Sequence, residues 1–380
     1  MRVPLVDLAA QEAAIADDVL AAVGEVAREA KFVLGSRVET FERWLAGACG
    51  VSSAVGVASG TDAIELALRA LDVGPGDAVV TPALSFVAAA EAITATGARP
   101  VFCDVEPATM NAGARTFGAA IARARAEGLR VRAIVPVHLF GLCAPMGELV
   151  ELARREGLAV VEDAAQALGA RDVDGRAAGA SGDCGCFSFF PTKNLGAWGD
   201  AGAVVTSDGA LAARLRRLRA HGAVSMYVHA EAGRNSRLDA LQAAVLLVKA
   251  RRLPDWHAGR ERLACGYLRG LAPLPVVLPS APAPPARHAW QSFVVRVPSG
   301  RDELATWLRA RGIETRLYYP VPLHRQPVFA GLGEPDLPVA EDACRTALAL
   351  PLFTTMSEEQ QRWVVDAIAA FFDRGRGRSG

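Results

Sequence analysis

Residues 187–205 read FSFFPTKNLGAWGDAGAVV and place one lysine, Lys193, among three phenylalanines and a tryptophan. Lysine is rarely buried, because its ammonium group loses hydration on leaving water. The stretch runs on into AVVTS (residues 203–207), a short β-branched run of the kind that forms strands. A lysine in apolar surroundings, next to a strand, therefore needs an explanation from the rest of the chain.

Short apolar runs like this one recur along the chain and alternate with helical patterns. The helical patterns include SRVETFERWLAGACG from residue 36 and MGELVELARREG from residue 146. This alternation predicts an α/β fold with a mostly parallel sheet that helices cover on both faces. The runs that indicate strands are AVVTP, PVFCDV, AIVPV, LAVVED and AVVTS.

A change of pattern near residue 250 predicts a second, smaller domain. The stretch from 271 to 288 is rich in proline and lacks periodicity, which is typical of an extended connection. The strand-like WQSFVVRV and further helical patterns follow it. A chain of 380 residues is also too long for one compact core. We predict a large domain over residues 1–250 and a smaller C-terminal α+β domain over 251–380.

Two capping boxes predict where helices begin in this second domain. Ser299 is followed by Asp302, and Ser357 is followed by Gln360, each three residues later. In a capping box, the two side chains satisfy each other's free backbone N–H groups at the start of a helix.

Composition excludes several classes of protein. A net charge of zero and a pI near 7.0 argue against a nucleic-acid or acidic-membrane binder, which would carry a basic excess. The seven cysteines are scattered, and the Cys184–Cys186 pair has no second pair to complete a metal site. With no signal peptide and no apolar run of about 18 residues, we expect a soluble, reduced, cytoplasmic protein without a metal.

Lys193 has two interpretations. Its stem could pack among the aromatic rings while the ammonium group reaches water. Alternatively, a desolvated lysine loses its proton more easily and becomes an amine that can condense with an aldehyde. Pyridoxal phosphate (PLP) is such an aldehyde, so the second interpretation requires the other groups that this cofactor needs.

Candidates for those groups are present, although each also has an ordinary interpretation. Asp163 ends the run LAVVED and could face the ring nitrogen, but acidic residues are common at strand ends. Residues 59–61 begin a helix and could bind phosphate, or could form a plain N-cap. Ser188 could add a hydroxyl group to a phosphate site. Phe86 could cover the ring or lie in the core.

Seven motifs occur in the order and spacing of one family. Together they closely resemble the DegT-type sugar aminotransferases, a branch of the fold-type I PLP enzymes. The resemblance extends from the N-terminus to about residue 370. The motifs are SGTDA (59–63), TPALSFVA (81–88), PVHLFG (136–141), EDAAQALGA (162–170), SFFPTKNLGAWGDAGAVV (188–205), NSRLDALQAAVL (235–246) and YYPVPLHRQPVF (318–329).

The resemblance implies a role for each residue at a matching position. Lys193 would bind the cofactor aldehyde covalently, Asp163 would pair with the ring nitrogen, and Gln166 would lie near the ring hydroxyl. Phe86 and Ala165 would lie against the two faces of the ring. Members of the family share active sites between subunits, so a homodimer is implied. The phosphate would be held by Gly60, Thr61, Ser188 and, from the neighbouring subunit, Asn235.

The resemblance also indicates which residues approach the substrate. For each of them, plain packing at the surface remains an equal alternative. These residues are His221, His229, Arg316, Tyr319 and His324.

The implied reaction is amino transfer from L-glutamate, which leaves as 2-oxoglutarate, to a nucleotide-linked keto-sugar in amino-sugar biosynthesis. The segment around Lys193 is most similar to relatives that aminate a 3-keto-6-deoxyhexose on dTDP, and 4-amination is the alternative. A related subgroup has histidine in place of the lysine and removes a hydroxyl group, so Lys193 disfavours a sugar dehydratase. The absence of a G-x-G-x-x-G motif between a strand and a helix disfavours a nicotinamide oxidoreductase.

Overall fold

A seven-stranded sheet forms the centre of the protein. The computed structural model describes residues 1–333 and 335–376. The strands of the sheet are β1 (Ser53–Val57), β2 (Asp77–Pro82), β3 (Arg99–Cys103), β4 (Arg130–Ile134), β5 (Ala159–Asp163), β6 (Cys184–Ser188) and β7 (Gly202–Thr206). Across the sheet they lie in the order β1-β7-β6-β5-β4-β2-β3.

The sheet is mostly parallel, as the alternating pattern predicts. β3, β2, β4, β5 and β6 pair in parallel, whereas β7 pairs antiparallel with both β6 and β1. β7 is therefore the one reversed strand in this sheet, and β1 again runs in the direction of β6. The carboxyl ends of the other six strands consequently meet at one edge, where open α/β sheets bind their ligands.

Helices cover both faces of the sheet, because its strands are apolar on both sides. The helices of this part are α1 (Leu8–Ala13), α2 (Ala16–Glu29), α3 (Ser36–Cys49), α4 (Gly60–Ala70), α5 (Ala88–Ala95), α6 (Ala114–Ala126), α7 (Met146–Glu156), α8 (Gly209–Leu218) and α9 (Ala240–Ala250). Val79 of β2 packs with α4, α5 and α8, whereas its neighbour Val80 packs on the opposite face with α6 and α7. Phe41 of α3 extends this second face together with α9.

A short hairpin and three 3-10 turns complete the framework. The hairpin consists of β8 (Ala223–Ser225) and β9 (Val228–His229), which pair antiparallel. The 3-10 turns span Leu139–Gly141, Leu323–Arg325 and Pro327–Leu332.

The C-terminal part has its own core, built around a two-stranded antiparallel sheet. Its elements are α10 (Leu253–Leu271), β10 (Phe293–Arg296), α11 (Arg301–Arg309), α12 (Pro338–Thr346), β11 (Ala347–Leu350) and α13 (Glu358–Arg376). The N-terminus joins this core, since the Val3 N–H donates to the Gly312 carbonyl at 2.8 Å and Glu314 returns a bond to Val3 at 2.9 Å. The domain division at residues 250 and 251 stays a prediction.

One of the two predicted capping boxes is present. Before α13, the Gln360 side chain accepts the Ser357 N–H at 2.9 Å, and the Ser357 hydroxyl accepts the Gln360 N–H at 3.1 Å. The box predicted at Ser299 is wrong, because Gly300, at φ +78°, occupies the N-cap of α11 and provides no side chain.

No helix in the described ranges has the length and apolar character needed to cross a membrane.

Candidate active site

The candidate site lies at the sheet edge where β1, β2, β5 and β6 end. Eight of the fourteen residues predicted from the sequence lie at the ends of these strands or shortly after them. Gly60 and Thr61 follow β1, Phe86 follows β2, Asp163, Ala165 and Gln166 lie at the end of β5, and Ser188 and Lys193 lie at or after the end of β6.

Lys193 lies in the loop that joins β6 to β7, and its N–H donates to the Phe190 carbonyl at 2.8 Å. Its side chain keeps some access to solvent. Burial nevertheless lowers the pKa of its ammonium group, and the charge of Asp163 opposes this shift only in part. A lowered pKa leaves more of the neutral amine, which is the form that attacks a carbonyl carbon.

Asp163 is the last residue of β5 and is 7% exposed. Burial raises the pKa of its carboxyl group, while the Ala165 N–H, donating to Oδ1 at 3.0 Å, and the charge of Lys193 pull the pKa back in part. Among the described residues, none donates a hydrogen bond to Oδ2. That oxygen is therefore available to a cationic donor from a bound molecule.

Gln166, Tyr319 and Phe86 form a chain of contacts near Asp163. The Phe140 N–H donates to Gln166 Oε1 at 2.7 Å, and Gln166 Nε2 donates to the Tyr319 hydroxyl at 3.0 Å. The Tyr319 and Phe86 ring centroids are 6.1 Å apart, and Phe86 is 57% exposed. The exposed ring of Phe86 provides a surface on which a flat ring can stack.

Gly60 and Ser188 bring the start of α4 against the end of β6. The Ser59 hydroxyl caps α4 by accepting the Asp62 N–H at 3.1 Å, so the helix begins with the free amides of Gly60 and Thr61. A methyl group on Gly60 would lie 2.6 Å from the Ser188 Cβ, so glycine is required for this approach. Amides at a helix N-terminus beside a hydroxyl group can bind a phosphate.

Three predicted residues, Asn235, His221 and His229, lie apart from this cluster, at the base of the β8–β9 hairpin. Asn235 is exposed, and the hydroxyl of the next residue, Ser236, accepts the Ala58 N–H at 3.2 Å. His229 Nδ1 contacts the His221 carbonyl at 2.9 Å, and both histidines are exposed. No hydrogen bond among the described residues joins these three to Lys193 or Asp163.

The two remaining substrate candidates have different surroundings. Arg316 is exposed and lines a cavity of about 190 Å³ together with Thr192, Gln291 and Tyr318. His324 has a fully buried side chain, and its Nε2 contacts Glu341 of α12 at 2.9 Å. That contact gives His324 a structural partner. Contact of either residue with substrate stays a prediction.

Sequence analysis did not identify a buried pair, Glu162 and His138, directly behind the site. Glu162 accepts the N–H groups of Ser181 at 2.7 Å and Gly182 at 2.6 Å and contacts His138 Nε2 at 2.8 Å. Because the Ala144 N–H donates to His138 Nδ1 at 3.0 Å, the proton of the neutral ring lies on Nε2.

This pair anchors the strand end that carries Asp163. Burial would raise the pKa of the Glu162 carboxyl group, but the His138 and backbone donors outweigh burial and lower it. The His138 N–H also donates to the Asp163 carbonyl at 3.0 Å. Both residues lie in motifs that the sequence analysis quotes, EDAAQALGA and PVHLFG, but neither motif reveals that they meet.

Comparison with known proteins identifies related chains. A family model described as "DegT/DnrJ/EryC1/StrS aminotransferase family" matches residues 13–369. A UDP-N-acetyl-3-dehydro-alpha-D-glucosamine 3-aminotransferase of Acidithiobacillus ferrooxidans is 44% identical over 359 residues, covering 94% of this chain and 95% of that protein. A dTDP-3-amino-3,4,6-trideoxy-alpha-D-glucose transaminase of Streptomyces venezuelae is 44% identical over 375 residues, covering 98% and 97%.

A solved structure matches the fold over the same length. The crystal structure of S. venezuelae DesV in complex with a ketimine intermediate superimposes with a TM-score of 0.92 at 44% identity. The match covers 97% of this chain and 98% of that one.

Proposed function

This chain belongs to the DegT/DnrJ/EryC1/StrS aminotransferase family, and from that premise we propose that it moves an amino group from L-glutamate to a nucleotide-linked keto-sugar, with PLP as cofactor. The family, the fold class and the aminotransferase activity predicted from the sequence are confirmed. The observation that carries the proposal is the position of Lys193 and Asp163 at the ends of neighbouring strands, β6 and β5, close enough for their charges to interact, with burial lowering the pKa of the lysine.

The side chains and backbone amides at this edge of the sheet fit PLP. When bound, the cofactor supplies an aldehyde that captures amines and a ring that withdraws electrons from the reacting carbon. Asp163 Oδ2 has no donor among the described residues and would accept the ring N–H, while Gln166 would meet the ring hydroxyl. Phe86 and Ala165 would contact the ring faces. The phosphate would be held by Gly60, Thr61 and Ser188 at the start of α4.

Lys193 would act twice in each catalytic cycle. Its Nζ would take the proton from the α-carbon of glutamate in the first half-reaction, as a general base. In the second half-reaction it would deliver a proton to the sugar carbon that receives the amine. Because 2-oxoglutarate leaves before the sugar reacts, ping-pong kinetics are expected.

The substrate we propose is a 3-keto-6-deoxyhexose linked to dTDP. Two relatives at 44% identity support a nucleotide-linked sugar with nitrogen at carbon 3, one on dTDP and one on UDP. A 4-keto sugar is the alternative, because the choice between carbon 3 and carbon 4 depends on how the sugar ring faces the cofactor. A dehydratase is less favoured, because the dehydratase subgroup of the family has histidine at the position of Lys193.

We also propose a homodimer with shared active sites. The β8–β9 hairpin exposes Met226 (81%) and Tyr227 (90%), which a second subunit could cover. Two ion pairs hold the base of this hairpin. Glu231 pairs with Arg217 at 3.2 Å, and Arg234 pairs with Glu65 at 2.8 Å. In this arrangement Asn235 would reach the phosphate of the neighbouring site.

An absorption spectrum tests the chemistry directly. The purified protein with PLP is expected to show a visible band that moves to shorter wavelength when L-glutamate is added, because the cofactor then carries the amine. L-glutamate should be compared with D-glutamate, which the site is not expected to use. A protein that shows no such band after incubation with PLP and removal of the unbound cofactor would contradict the proposed function.

A mixed dimer tests the shared sites. Lys193→Ala and Asn235→Ala chains carrying different affinity tags are co-expressed, and the mixed dimer is purified on both tags. Asn235→Ala alone is expected to bind PLP at least about 10-fold more weakly, through loss of a hydrogen bond to a charged group. At a PLP concentration too low to saturate that variant, activity should reappear in the mixed dimer, because one site then contains both native residues. If every site were built from one chain, the mixed dimer would stay inactive.

A further inference from the structure

The side-chain amide of Gln291 bridges the backbone on both sides of Lys193. Its Nε2 donates to the Thr192 carbonyl at 2.8 Å, and the Asn194 N–H donates to its Oε1 at 2.8 Å. In a parallel sheet, the N–H and C=O groups of one residue bond in the same way to the neighbouring strand: one to the residue before the facing residue, the other to the residue after it. The amide therefore gives Lys193 the backbone support of a strand, although Lys193 lies in a loop.

Gln291 is itself held in place from the opposite side. Its backbone N–H donates to the Phe140 carbonyl at 3.0 Å, and the Phe140 N–H donates to Gln166 Oε1 at 2.7 Å. The side-chain Nδ2 of Asn194 also donates to the Ala289 carbonyl at 2.6 Å. A short chain of hydrogen bonds thus links the backbone beside Lys193 to the side chain of Gln166.

A second glutamine that bonds the same loop, Gln242 of α9, provides a comparison. Gln242 Oε1 accepts the Trp198 N–H at 2.8 Å, and its Nε2 donates to the Trp198 carbonyl at 3.3 Å. Gln242 therefore makes the same number of bonds to the same loop, but it makes them five residues beyond the lysine. Its removal weakens the loop without touching the residues that flank Lys193.

We propose that Gln291 is a positioning residue: by fixing Thr192 and Asn194, its amide sets where the Lys193 amine lies relative to Asp163 and the aldehyde that the amine captures. The inference rests on the proposed function. A displacement of about 1 Å can cost on the order of 100-fold in rate when reacting groups must be aligned.

The test uses the full-length chain freed of cofactor, in native form and as Gln291→Met and Gln242→Met. Methionine keeps the length of glutamine and removes both hydrogen bonds. Capture of PLP by Lys193 is measured by trapping with borohydride and mass spectrometry of the labelled peptide. The pKa of Lys193 is measured separately by competitive acetylation, with exposed Lys31 as the internal reference. The chain has only one further lysine, Lys249, which is buried against Glu12, so the assignment is unambiguous.

Gln291→Met is expected to capture PLP about 10-fold to 100-fold more slowly. It should also return the Lys193 pKa toward the ordinary value for lysine, since the amine is less enclosed. Gln242→Met is expected to stay within about 2-fold of the native rate, although it loses the same number of bonds and so a similar amount of thermal stability.

A Gln291→Met chain that differs from the native chain only in thermal stability, as Gln242→Met does, would overturn the inference. If Gln291→Met does not fold, Gln291→Glu replaces it, because glutamate keeps the oxygen that accepts the Asn194 N–H and loses the donor to Thr192. An unchanged capture rate in Gln291→Glu would equally overturn it. Failure of the native chain to capture PLP at Lys193 would instead contradict the proposed function.

Discussion

Lys193→Ala is expected to lower the rate of amino transfer by at least about 10⁴-fold, the upper end of what a positioned proton-transfer group contributes. The variant loses the amine that captures the cofactor and the base that takes the α-proton of glutamate. Alanine adds no charge and leaves the backbone bonds of Thr192 and Asn194 to Gln291 in place. The rate should be measured in single turnovers with L-glutamate as well as in the full reaction, so that both half-reactions are examined.

The matched control for this variant is Lys31→Ala. Lys31 is exposed just after α2, so its removal is expected to leave the rate unchanged. Unfolding midpoints of both variants should be compared with that of the native chain. A well-folded Lys193→Ala protein that still transfers amino groups would refute the role proposed for Lys193.

Glu162→Gln is expected to lower the free energy of unfolding by about 3 kcal/mol, because buried N–H groups lose the charged acceptor that satisfies them. Glu162 is fully buried, and its two oxygens accept from His138 and from the N–H groups of Gly179, Ser181 and Gly182. Glutamine would turn an NH₂ group toward donors that require an acceptor. Urea unfolding curves at pH 7 measure the loss.

Glu151→Gln is the control for this prediction, because Glu151 is exposed on α7 and pairs there with Arg154 and Arg155 at the surface. Its free energy of unfolding should change by no more than about 0.5 kcal/mol. If both substitutions lowered the free energy of unfolding equally, the buried carboxylate of Glu162 would stabilise the fold no more than a surface carboxylate does.

The same carboxylate gives stability a defined pH dependence. Its pKa in the folded chain lies below the ordinary value of 4.5. The stabilisation is therefore complete above pH 4.5 and is lost as the pH falls through the folded-state pKa. The native chain and Glu162→Gln should converge in stability at acid pH, and a difference that widens there would contradict this assignment.

Sequence analysis predicted the α/β fold and the residues that gather at the sheet edge, because strand and helix patterns are local and the seven motifs are distinctive. Lys193 and Asp163 could both be placed after strands, and parallel strands bring such positions together. Gln291 could not be found in this way, since nothing near it in the sequence indicates that its amide meets the residues around Lys193, about a hundred positions earlier. The capping box predicted at Ser299 is wrong because a left-handed glycine, Gly300, occupies the N-cap of α11.

The reversal of β7 limits how the lysine can travel. The chain leaves β6 and enters β7 at one edge, where Ser188 is paired with Gly202 and the Phe189 N–H donates to the Ala201 carbonyl at 2.8 Å. Between these paired ends, Gln291 bonds the residues on both sides of Lys193 and Gln242 bonds Trp198, which restrains movement of the loop backbone. Movement of the amine between two reacting carbons therefore comes from rotation about the methylene bonds of Lys193. The length of this flexible side chain limits how far the amine can move.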